Sequence, residues 1–204
     1  MYCPRCGFAN DEGSLDCRHC GHSLEESRRP PVRRVNRLFY VISVAAAGLS
    51  GITMVIVPAW QLRLHPGRVL WLLPLVAGQA ALLYSAAVSL VLWYKAWQAV
   101  QGGPARTTPG KAIGLLFVPF YNLYWVFEAY WGFAKDCNRL FRRRRVRARP
   151  LPEWLFLVSC ILTVASLPLA FVPVARWVFP CLCLAASVGV VHFTARAIND
   201  IARA

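Results

Sequence analysis

The chain has 204 residues, of which 57% are hydrophobic and only 16% are charged. A water-soluble domain carries about a quarter charged residues, so an ordinary soluble domain is excluded, and apolar runs of about 18 residues or more read as membrane helices. The net charge of +14 then reads as the Lys and Arg excess of cytoplasmic membrane flanks, in preference to nucleic-acid binding.

The charge is unevenly placed. Residues 1–27 hold Arg5 and Arg18 against Asp11, Glu12, Asp16, Glu25 and Glu26, a balance of −3. Residues 28–204 hold the other basic residues against Glu128, Asp136, Glu153 and Asp200, a balance of +17. The acidic part also carries CPRCG and CRHCG, two copies of a CxxCG knuckle. Each turn points two thiolates at one metal, and Gly7 or Gly21 tolerates the conformation that follows. Cys3, Cys6, Cys17 and Cys20 together predict a closed tetrahedral site for structural Zn²⁺. A hairpin of residues 1–24 is expected, turning at Asn10-Asp11-Glu12-Gly13 over a minimal core of Phe8 and Leu15. So small a module depends on the metal for stability. With four sulfurs in the shell, His19 and His22 read as surface residues.

Residues 25–37 form a basic linker with two prolines, and Arg28, Arg29, Arg33, Arg34 and Arg37 precede the membrane. They favour cytoplasmic placement and contact with anionic headgroups. No apolar h-region precedes residue 38, so the first membrane helix is expected to act as the insertion signal. The domain 38–204 is expected to be all-α, with spans at about 38–60, 69–94, 154–173 and 177–195. Small residues in AAAGLSG at 45–51 and at Ala77, Ala81, Ser85 and Ser89 predict close helix packing. Gln79 is expected to bond a neighbouring helix. Cys160 reads as a small apolar filler, and the CxC pair Cys181 and Cys183 points to different helix sides.

The stretch 112–135 decides the topology. Were it a fifth span, with the cysteine module inside, the loop 134–150 would lie outside. That loop carries Lys135, Arg139, Arg142, Arg143, Arg144, Arg145, Arg147 and Arg149 against Asp136, which violates the positive-inside rule. The run Val118-Pro119-Phe120-Tyr121-Asn122 predicts a break: proline removes a donor and disfavours helix before it, and Asn122 suits a turn. Each half is too short to cross about 30 Å of hydrocarbon. The expectation is therefore a re-entrant or interfacial segment, four spans, and both termini cytoplasmic. Glu128 is the acid within the apolar run, and an intramembrane carboxylate is a site hypothesis by default. One reading makes Asn122 and Glu128 a polar cation or proton site. The other pairs Glu128 with Lys135, Arg139 or a tyrosine hydroxyl within an aromatic belt. Arg142, Arg143, Arg144 and Arg145 are expected to meet anionic lipid or a partner. There is no HExxH, GxSxG, phosphate-binding glycine loop or pair of membrane aspartates, so no enzyme activity is predicted.

Residues 1–24 resemble the short bacterial zinc-ribbon module CPxCG…CxxCG. Residues 93–138 are similar to the core of uncharacterised bacterial multi-pass membrane proteins that share FVPFYNLYW. The resemblance implies a bacterial inner-membrane setting and carries over no activity. The expected role is a zinc ribbon presented to the cytoplasm for binding, regulation or scaffolding; the alternative is a small transporter or channel using the break. Expected partners are anionic lipid headgroups, a protein at the ribbon and a second copy of the chain.

Overall fold

The computed structural model describes residues 2–3, 5–11, 14, 16–21, 24, 32–64, 70, 72–101, 105–146, 148–169, 172 and 175–203. Leu15, Glu12-Gly13, His22, linker residues 25–31, the loop 65–69, Arg147 and Val174 lie outside them. The elements are helical: α1 (Arg37–Leu64), α2 (Leu72–Val100), α3 (Pro109–Gly114), a 3₁₀ turn (Leu115–Phe117), α4 (Tyr121–Val126), a π-helical stretch (Phe127–Gly132), α5 (Phe133–Arg143), α6 (Glu153–Leu169) and α7 (Ala175–Ile201). Among the described residues, three helices are long and apolar enough to cross a membrane: Arg37–Val57, Leu72–Val100 and Val178–Ile201. The apolar helix Glu153–Ser166 is shorter.

Helix α1 begins where Asn36 Oδ1 accepts the Phe39 amide at 3.1 Å, satisfying one of the donors a helix start leaves open. It packs along α2 and α7. A side chain on Gly51 would meet Leu82 at 2.7 Å, and one on Gly78 would meet Met54 at 2.8 Å. Small residues thus let the backbones approach, as the sequence predicts. Of the expected small-residue face, Ser85 is buried and Ala81 and Ser89 are half-buried, whereas Ala77 is exposed and its neighbour Gly78 is buried instead. Ser85 Oγ donates to the Val44 carbonyl at 3.4 Å. Gln79 is exposed and, among the described residues, bonds to no neighbouring helix.

The core is concentrated at one end of the bundle. Trp93, Trp97, Phe133, Phe156, Leu140 and Ile198 are fully buried together. Side chains tie the chain segments at that end. Asn199 brackets Val35, accepting its amide at 2.8 Å and donating to its carbonyl at 2.9 Å. Lys95 Nζ donates to Tyr40 Oη at 3.0 Å, and Arg196 donates to the Arg149 carbonyl at 2.7 Å. Asn138 brackets Leu151 in the same manner, at 2.7 and 3.1 Å. The start of α1 and the ends of α2 and α7 therefore meet the segment around 138–151.

The central stretch breaks where proline predicts. Its turn residue is Phe120, with φ 61° and ψ −43°, and Tyr121 N–H donates back to the Pro119 carbonyl at 2.7 Å. This is a γ-turn of the strained, positive-φ kind. Asn122, expected in the turn, lies in the first turn of α4. From Tyr121 the helix continues to Arg143 through the π stretch, so it runs past residue 135, the expected end of the broken stretch. Phe120 is 89% exposed, with Phe117 and Tyr124 exposed nearby.

Helix α5 ends in the arginine block. Val146 N–H donates to the Phe141 carbonyl at 3.1 Å and Arg145 N–H to the Arg142 carbonyl at 3.4 Å, the paired bonds of a Schellman ending. The residue in the left-handed position is Arg145, φ 49°, where glycine is the unstrained choice. Arg145→Gly is expected to raise stability by about 1 kcal/mol, read as a higher denaturation midpoint in detergent; an unchanged or lower midpoint would contradict the assignment.

Candidate functional site

The four N-terminal cysteines come together. Their sulfurs all lie within 4.8 Å of one another. Cys3 and Cys20 Sγ are 3.7 Å apart, and Cys6 and Cys17 Sγ 3.6 Å. A tetrahedron of thiolates at about 2.3 Å from a central zinc has edges of about 3.8 Å, so the sulfur set fits a thiolate-bound metal ion. Both knuckles fold alike. Gly7 N–H donates to the Cys3 carbonyl at 2.8 Å and Gly21 N–H to the Cys17 carbonyl at 2.9 Å, and the glycines take φ 71° and 65°, as the CxxCG pattern predicts.

Burial opposes ionisation of Cys17, but the Cys20 and His19 amides, Asn10 and the Cys6 thiol outweigh it and bring its pKa down to about 6. At Cys6 the Phe8 amide favours the thiolate, yet burial and hydrogen bonds to the other three cysteines push it up to about 12. Cys17 is thus the sulfur whose surroundings favour the thiolate, and Cys6 one whose surroundings favour the thiol. A metal ion ligates the sulfurs as thiolates, so its binding releases the protons that thiols such as Cys6 still hold.

Asn10 does more than turn the chain. Its Nδ2 donates to the Phe8 carbonyl at 2.9 Å and to Cys17 Sγ at 3.5 Å, and its Oδ1 accepts the Arg18 amide at 3.0 Å. It therefore joins the knuckles from outside the sulfur shell. Tyr2 and Ala9 form an antiparallel β-bridge within the first knuckle, and Asp16 also occupies a bridge position. Phe8 stacks on His19 at 5.3 Å, and Leu24 is the apolar residue buried against Cys3 and Cys17.

The second constellation is on the central stretch. Glu128 is 28% exposed, whereas Asp136 is completely buried. Arg106 holds both. Its Nε donates to Asp136 Oδ2 at 3.1 Å, its Nη2 to Oδ1 at 3.1 Å, and its own amide to Oδ2 at 3.1 Å. The remaining nitrogen, Nη1, reaches Glu128 Oε2 at 2.9 Å. Arg139 Nη1 adds a contact of 3.6 Å to Asp136. The Asp136 hydrogen bonds, assisted by Glu128 and opposed by burial, raise the Arg106 pKa above its ordinary value. Gly132 makes room, since a Cβ there would sit 3.3 Å from Glu128 Oε2 and 3.4 Å from Arg106 Nη1.

Sequence reading named Glu128 and one of its neighbours, a tyrosine hydroxyl: Tyr124 Oη lies 3.5 Å from Oε1. It missed Arg106 and Asp136. Lys135 instead sits 3.0 Å over the Trp131 ring, and Arg139 turns to Asp136. The available signal was the apolar face Phe133, Ala134, Cys137, Leu140 and Phe141 of α5, which also carries Asp136. Asn122 is exposed and, among the described residues, makes no hydrogen bond to Glu128. Arg142, Arg143, Arg144 and Arg145 are exposed together at the end of α5. Cys160 is buried and its Sγ donates to the Val126 carbonyl at 3.4 Å, while Trp97 Nε1 donates to the Ala129 carbonyl at 3.2 Å. Both contacts are made to the π stretch or its edge. No protein-family model matches the chain, and neither a curated protein nor a solved structure is detectably similar to it.

Asn10→Ala is expected to weaken metal binding by about 10-fold without changing stoichiometry, measured by chelator competition. Asp136→Asn, which leaves Arg106 without its main partner, is expected to cost about 3 kcal/mol. Glu128→Gln at the partly exposed end should cost no more than about 1 kcal/mol. Equal losses for these last two in denaturant titrations would refute the proposed ranking.

Proposed function

We propose that this chain is an integral membrane protein of the bacterial inner membrane that presents a structural zinc ribbon to the cytoplasm as a non-enzymatic binding or regulatory module. Helices α1, α2, α6 and α7 cross the bilayer, and the stretch 112–135 enters and leaves on one side. The observation that carries this reading is the bonding at one end of the bundle. Arg106 joins Asp136, Arg149 joins Arg196, and Val35 joins Asn199. The chain before α1, the loop after α2, the arginine block and the C-terminal helix end therefore share one end. Placing that end in the cytoplasm puts the basic flanks where the positive-inside rule expects them. The strained turn at Phe120 and its exposed aromatic neighbours suit a tip that dips into the interface.

The four-sulfur geometry supports zinc, and the two knuckles of one fold support a ribbon-like module. The non-enzymatic reading rests on the second constellation. Its carboxylates are committed to arginines, which suits an anchor better than a proton or cation carrier. A transport pathway through Asn122 and Glu128 is the second reading, favoured by the break and by the partial exposure of Glu128.

A topology reporter fused after Arg149 is expected to give a cytoplasmic signal, and the purified chain to hold about one zinc ion by elemental analysis. A periplasmic signal would overturn the same-side stretch. Ion flux in proteoliposomes abolished by Glu128→Gln would favour the transport reading, and wild-type protein without flux would remove it.

A further inference from the structure

The bonded end of the bundle also carries a cleft of about 430 Å³. Arg33, Arg34, Lys95 and Gln98 provide its polar lining, and Val35 and Ile198 belong to its apolar part. Among the described residues, no carboxylate lines it. Asp200, in a neighbouring cleft that shares Val35, is taken up by Arg196 at 3.7 Å and Arg203 at 4.0 Å. Three cations thus face one concavity, with no counter-charge among the described residues of its lining.

Two anchors hold the cleft in shape. The Asn199 bracket on Val35 pins the backbone beside Arg33 and Arg34. Tyr40 takes one donor of Lys95, 3.0 Å from Nζ, and leaves the other two of the ammonium group. Guanidinium forks match the paired oxygens of a phosphate, and the ammonium adds a point charge. The surroundings specify what carries the phosphate. Leu38 and Phe39 on α1, and Val91 and Tyr94 on α2, are exposed within about one turn of the cleft. A ligand with a phosphate at one end and hydrocarbon at the other meets both surfaces.

We infer that the cleft lined by Arg33, Arg34, Lys95 and Gln98 binds the phosphate of an anionic phospholipid headgroup, with the acyl chains against the exposed apolar residues of α1 and α2. This goes beyond the ribbon reading and rests only on its membrane placement. The site is separate from Arg142–Arg145, which form an exposed block at the end of α5.

The test uses the full chain purified in a neutral detergent. Phosphatidylglycerol, phosphatidylcholine and inorganic phosphate are titrated in turn, with bound lipid counted by native mass spectrometry and the melting temperature followed. Phosphatidylglycerol is expected to bind and to raise the melting temperature. Arg33→Gln with Arg34→Gln should weaken that binding about 30-fold, with the lipid-free melting temperature unchanged. Gln98→Glu, which places a carboxylate in the cleft, should weaken it as well and serves if the double variant folds poorly. Arg142→Gln with Arg143→Gln should have a much smaller effect. An equal loss in the two double variants would overturn the site in favour of diffuse attraction. Equal binding of phosphatidylcholine would overturn the phosphate recognition, and equal stabilisation by inorganic phosphate would overturn the lipid source. Detergent has no sidedness, so this experiment and the topology reporter fail independently.

Discussion

The ion pair between Arg106 and Asp136 is the constraint on which the arrangement of the central stretch depends. A fully buried carboxylate is costly unless its charge and hydrogen-bonding capacity are met. Asp136 meets both requirements through one residue, which supplies its guanidinium and its own amide. Because Arg106 lies in the loop that leaves α2, satisfying Asp136 brings the far end of the stretch back to where the stretch began. Gln101 holds the same loop by donating to the Trp97 and Thr107 carbonyls. The aromatic layer of Trp93, Trp97, Phe133 and Phe156 then closes around the junction, where its burial adds to the electrostatic tie.

Two stabilising principles divide the molecule. In the helical domain, helices satisfy their own backbones and pack through glycine, serine and aromatic contacts. In the N-terminal module Leu24 is, among the described residues, the one non-cysteine side chain in the buried cluster, so sulfur chemistry and a few hydrogen bonds stand in for a large apolar core. The link between them runs through the basic linker to Val35, where Asn199 grips the chain. A module so attached has its entry point fixed at the basic end of the bundle.

Much of this was legible in the sequence because it depends on local chemistry. The apolar runs named the long helices, and CxxCG named the sulfur cluster and the sign of φ at Gly7 and Gly21. Pro119 named the break to within a residue. What was not legible depends on partners distant in the chain. Nothing near residue 106 marks it as the partner of residue 136, and Asn10 looks like any turn asparagine until Cys17 and Arg18 arrive beside it. Gln79 was misread for the opposite reason: its polarity suggested a partner, but its side of α2 faces away from the other helices.

The π stretch within the central helix has a consequence for angular register. Eight positions along a regular α-helix amount to about 800° of rotation, which leaves residues 128 and 136 about 80° apart. Seven positions amount to about 700°, which would bring residue 135 almost directly over residue 128. A regular helix would thus give Glu128 the lysine as its neighbour and turn Asp136 aside. The wider turn of Phe127–Gly132 absorbs one residue and takes back about 100°. Glu128 and Asp136 fall into line, Lys135 swings onto Trp131, and a single guanidinium can span both acids. One surplus residue therefore acts as a phase shifter, and it decides that Glu128 meets the loop arginine and not the lysine of its own helix.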